Sequence, residues 1–66
     1  MELHVMKDII LNKITVALNR LKIYNIFADE AYEVLKDCGT RYFNMLCAAY
    51  RLTEEEMKFI RNDQTA

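Results

Sequence analysis

The side chains able to do covalent or metal chemistry are few and scattered: one histidine, His4, two cysteines, Cys38 and Cys47, and one acidic run, Glu54-Glu55-Glu56. A hydrolytic site needs a nucleophile, a base and a group that orients the base, all within hydrogen-bond reach. His4 is the only imidazole and stands at the N-terminal edge of the first helical pattern, where it reads as a solvated surface residue. A tetrahedral zinc site needs four nitrogen or sulfur ligands, and this chain has neither a Cys-x-x-Cys pair nor a second histidine. Cys38 and Cys47 are nine residues apart, about 180° around a single helix, so they do not bridge within one. The three glutamates fit the first turn of a helix, where their charge opposes the helix dipole. No catalytic residue, cofactor or metal is expected, and the chain reads as a non-enzyme.

Nine Lys and Arg against ten Asp and Glu leave a net charge of -1, without the basic surface that neutralises a phosphate backbone. Polar residues interrupt every apolar run well short of the roughly 18 residues needed to cross a bilayer, and Met-Glu-Leu-His is not the basic start of a signal peptide. Unpaired thiols fit a reducing compartment. The expectation is a cytoplasmic protein with no membrane role.

The elements follow from periodicity. Leu3, Met6, Ile10, Ile14, Ala17 and Leu21 recur on one stripe, which predicts a helix over 3–23. Asn25 would take the left-handed position at its C-terminus and Ile26 would pack back on Leu21. Asp29 is the candidate N-cap of a second helix over 29–51, with Glu30 and Glu33 in its first turn. Leu52-Thr53-Glu54-Glu55-Glu56-Met57 is a capping box, Thr53 with Glu56, flanked by a Leu52–Met57 staple, and it opens a short helix over 54–61 ahead of a frayed tail, 62–66.

Gly39 is ambiguous. Lys36-Asp37-Cys38-Gly39-Thr40 reads locally as a helix stop. Against that, Ala31, Val34, Leu35, Cys38, Tyr42, Met45, Leu46 and Ala49 share one arc when 29–51 is drawn as one helix, and a break would normally reset that phase. A continuous helix is therefore expected, with Gly39 at the flank of the arc where its missing Cβ admits a neighbouring helix. The fold class predicted is all-α, a single domain: an antiparallel hairpin of two long helices plus a short third one.

Sixty-six residues bury too small a fraction of their surface for a comfortable core, and with no disulfide framework or metal expected, the supplement this predicts is association. Two surfaces are candidates. Val5, Ile9, Val16 and Ile23 form a second apolar ridge on the first helix, set off from the main stripe by Glu2, Lys13 and Arg20. Either the short third helix covers this ridge, or two hairpins pack through it as a homodimeric four-helix bundle. Tyr32, Phe43 and Tyr50 form an aromatic row on the second helix, suited to an interface or to the core. The function expected is regulation or adaptation by docking onto or occluding a partner protein. The alternative is a DNA-binding helix-turn-helix around Ala31–Tyr50 with Arg41 and Asn44 as base readers, weakened by the four acids that precede it.

Overall fold

Four helices form, one more than the periodicity predicts, in a computed structural model that describes residues 3–63. Expectations for Glu2, for the side chains of Leu3 and His4, and for Gln64-Thr65-Ala66 lie outside the described residues. The helices are α1 (Leu3–Arg20), α2 (Ala28–Asp37), α3 (Thr40–Ala49) and α4 (Glu54–Asn62), and no strand occurs among the described residues.

The α1 stripe is as expected in its middle: Ile10, Ile14 and Ala17 are buried together with Leu18, and Met6 packs beside them. Leu21 is not, being exposed, because α1 stops early. Lys22 takes a left-handed conformation, φ 62°, and its N–H donates to the Asn19 carbonyl at 3.1 Å while the Ile23 N–H donates to that of Leu18 at 2.9 Å. This is a Schellman cap three residues upstream of the one predicted at Asn25. The same device ends α3, where Arg51 has φ 60°, its N–H reaches the Ala48 carbonyl and the Leu52 N–H reaches that of Cys47. Neither position is Gly or Asn, although the left-handed region costs other residues about 1–2 kcal/mol. What fixes the two caps is the residue that follows each: Ile23 and Leu52 both pack on the core.

α2 begins one residue before the predicted cap. Its N-cap is Phe27, which has no side-chain acceptor, so Glu30 supplies half of a capping box by accepting from the Phe27 N–H at 3.0 Å. Asp29 instead lies within the first turn and accepts from the Glu30 N–H.

The continuous helix over 29–51 is overturned at Gly39. Cys38 (φ -80°, ψ 165°) and Gly39 (φ -71°, ψ 166°) are both extended and separate α2 from α3. The break resets the phase. Val34, Tyr42 and Met45, placed on the inner arc by the single-helix drawing, are exposed, whereas Ala31, Tyr32 and Leu35 of α2 and Phe43, Cys47 and Tyr50 of α3 are buried. Phe43, Cys47 and Tyr50 stand at i, i+4 and i+7, a proper helical stripe. Burying an aromatic ring removes about 150–250 Å² from water at roughly 25 cal/mol per Å², which is several kcal/mol for each ring. That exceeds what uninterrupted helix would contribute through a residue as poor at helix formation as Gly. The glycine does not serve close approach: a Cβ placed on it would meet nothing within 4 Å. The hairpin of two long helices is thereby replaced by α1 packed against α2 and α4, with α2 also against α4.

α4 follows its sequence signal closely. The Glu56 N–H donates to Thr53 Oγ1 at 3.1 Å and the Thr53 N–H donates to Glu56 Oε1 at 2.8 Å. Ile60 is fully buried, and Leu52, Met57 and Phe59 are half-buried against the core. The fraying predicted from residue 62 begins too early, since Asn62 is helical and Asp63 is tied in: its N–H reaches the Phe59 and Ile60 carbonyls, and its Oδ2 accepts from the Tyr32 hydroxyl at 2.7 Å.

Candidate interaction surface

The ridge on α1 faces away from the core. Val5, Ile9 and Val16 are all exposed, Val16 by 57%. Ile23 leaves the ridge, because as the residue after the left-handed Lys22 it packs half-buried on the core. α4 does not cover the ridge. It docks beside the ridge on α1, where Lys13 Nζ lies 2.9 Å from both carboxylate oxygens of Glu56. Burial pushes the Glu56 carboxyl up, but the Thr53 backbone N–H and the Lys13 ammonium outweigh it and hold the group below its ordinary value. The pair thus fixes the edge of α1 that α4 occupies, while Val5, Ile9 and Val16 stay exposed.

Tyr32, Phe43 and Tyr50 do not form a surface row. All three are buried in the core, Tyr32 on α2 and Phe43 and Tyr50 on the stripe that the break at Gly39 turns inward. The Tyr32 hydroxyl is pushed far above its ordinary range by burial and by its bond to Asp63, and its ring carries Lys7, with Nζ 4.8 Å from the centroid. Arg61 covers Phe43, its guanidinium carbon 4.0 Å from the ring centre. Burial also raises the Tyr50 hydroxyl and takes the Cys47 thiol up to about 11. Cys38 and Cys47 are both free, Cys38 in the helix break and Cys47 within α3.

A second apolar feature went unseen in the sequence. The connection between α1 and α2 exposes Leu21 and Ile26, and Tyr24 and Phe27 by 72% and 71%. Tyr24, Ile26 and Phe27 line a groove of about 210 Å³ whose other wall is Thr15 and Asn19 of α1. Val5, Ile9, Asn12 and Thr15 line a more open one along α1. Thr15 borders both grooves, so the exposed aromatics of the loop lie next to the outer face of α1. The available signal was Tyr24 and Phe27 themselves, two aromatics in a stretch with no helical partner positions.

Lys13 is paired with Glu56, and Arg20 donates to the Ala49 carbonyl at 2.6 Å, satisfying the end of α3. Arg41 and Asn44 are exposed on α3 beside Tyr42 and Met45, while Asp29, Glu30, Glu33 and Asp37 are exposed on α2. Among the described residues no three His, Cys, Asp or Glu side chains converge as a metal site, and no helix is long and apolar enough to cross a membrane. No protein-family model matches the chain, and no curated protein or solved structure matches it.

Proposed function

We propose that this chain is a small non-enzymatic regulatory or adaptor protein of the cytoplasm that acts by docking onto, or occluding, a partner protein. The observation that carries this reading is the uncovered apolar strip from Val5, Ile9 and Val16 to Tyr24, Ile26 and Phe27. At about 150–250 Å² per aromatic side chain, Tyr24 and Phe27 alone leave a few hundred Å² of largely apolar surface in water, as large as the patches that mark interaction sites on soluble proteins. The test is the double variant Ile9→Glu, Val16→Glu. Both side chains are exposed, so the variant keeps its helical circular dichroism and cooperative melting but loses the protein captured by the wild type or its own association. A variant that unfolds, or that binds all that the wild type binds, refutes the reading.

A second reading has one observation in its favour. The break at Gly39 sets α2 and α3 two residues apart and leaves Arg41 and Asn44 on the outer face of α3, the arrangement a helix-turn-helix uses to present base readers to duplex DNA. The exposed acids of α2 oppose it by repelling phosphate. It requires salt-sensitive duplex binding that weakens on replacing Arg41 and Asn44 with Ala.

A further inference from the structure

The outer face of α1 carries its own seven-residue repeat. Val5, Asn12 and Asn19 recur at one position and Ile9 and Val16 at the other, alternating three and four apart, and all five are exposed. This is the pattern of a coiled-coil seam, and it lies opposite the stripe that Ile10, Ile14 and Ala17 bury in the chain's own core. Asn12 stands in the middle of the seam. Against an arbitrary apolar groove its amide would lose water and gain nothing, whereas against the same amide on a second helix it finds both a donor and an acceptor.

The charges at the edges point the same way. Asp8 precedes Ile9 on one edge and Lys13 follows Asn12 on the other, five residues apart. In a parallel, in-register pair of helices those two positions face each other across the seam, so each copy offers Asp8 to Lys13 of the other. Lys13 keeps about a third of its side chain in solvent beside Glu56, leaving its ammonium room for a second carboxylate. A surface that complements itself under a two-fold rotation is what an isologous dimer requires. From Val5 to Val16 the seam is only about 16 Å long at 1.5 Å per residue, too short to reach the roughly 800 Å² per partner of a standard interface. Parallel packing supplies the remainder by bringing both Leu21–Phe27 loops, with Tyr24 and Phe27, to one end of the pair.

We infer that this chain forms a parallel two-fold homodimer through the outer face of α1, with Ile9 on Ile9 and Val16 on Val16 of the second copy, Asn12 paired across the axis, and Asp8 set against Lys13. The inference deepens the proposed function by naming a second copy as the occupant of the strip, and rests on it. The experiment is molar mass by size-exclusion chromatography with light scattering over a dilution series in reductant. It is combined with oxidation of an Asn12→Cys variant made with Cys38→Ser. The wild type is a dimer, and Ile9→Glu weakens it about thirtyfold or more, as truncation of a central interface residue does. Asp8→Lys, which sets like charges face to face, weakens it about tenfold in low salt. The N12C variant cross-links to a covalent dimer. A wild type that stays monomeric at every concentration overturns the dimer, and the proposed function then survives if a captured partner still depends on Ile9 and Val16. A dimer whose N12C variant does not cross-link overturns the parallel register.

Discussion

Glu56→Gln isolates the charge that fixes α4 on α1. Glutamine keeps the length of the side chain and can still accept from the Thr53 N–H, so the capping box is retained. What is lost is the ion pair with Lys13, in which both carboxylate oxygens lie 2.9 Å from the ammonium. The Glu56 side chain is only 8% exposed and that of Lys13 36%, so the lysine can rehydrate and the loss falls short of the roughly 3–5 kcal/mol for breaking a fully buried pair. It exceeds the roughly 0–1 kcal/mol of an exposed one. A cost of about 1–2 kcal/mol is expected, which for a domain of this size lowers Tm by about 5–15 °C. The pH dependence carries the sign. The folded state holds the Glu56 carboxyl below its ordinary value of 4.5, so the unfolded chain binds the proton more readily. The contribution is complete above pH 4.5 and is lost as the pH falls through the lower folded value. Wild type and variant, unfolded in urea between pH 7 and pH 3, should therefore differ most at neutral pH and converge in acid. Parallel curves across that range, or a difference at pH 7 below a few tenths of a kcal/mol, would show that Lys13 and Glu56 do not position α4.

Two further substitutions test the packing. Tyr32→Phe removes the hydroxyl that ties α2 to Asp63 at the end of α4 and should cost about 1 kcal/mol in urea unfolding, the net worth of one such bond; an unchanged midpoint would mean that the bond contributes nothing. Gly39→Ser places a side-chain acceptor at the N-cap of α3, where none exists and where a Cβ meets no neighbour. It should stabilise by about 0.5–1 kcal/mol through capping and a stiffer unfolded chain, with Tm rising by a few degrees; a fall would contradict the extended conformation assigned to that residue.

The start of the last helix was legible in the sequence, and that of α2 was not. α4 is the clearest case, because Thr53 and Glu56 cap each other across three residues whatever the rest of the molecule does. The buried stripe of α1 was legible for the same reason, since Ile10, Ile14 and Ala17 are held on one face by the geometry of a single helix. The apolar ridge of Val5, Ile9 and Val16 was visible too, as residues the first stripe could not absorb. That α4 leaves it exposed was not, because the position of α4 depends on Lys13 meeting Glu56 from 43 residues away.

Periodicity could not decide Gly39. A helix drawn through it gave a coherent apolar arc, and only the competition for the core showed that Phe43, Cys47 and Tyr50 bury better once α3 is rotated, at the expense of Tyr42 and Met45. The same competition places left-handed caps at Lys22 and Arg51, which neither residue type suggests, because Ile23 and Leu52 must turn inward. Local hydrogen bonding and helical spacing alone settle an all-α chain, the capped start of its last helix and a second apolar ridge on the first. Tertiary structure decided where the long second helix breaks, which aromatics are core and which are surface, and how the loop from Leu21 to Phe27 extends the ridge, since each depends on which distant side chains compete for a core too small to hold them all.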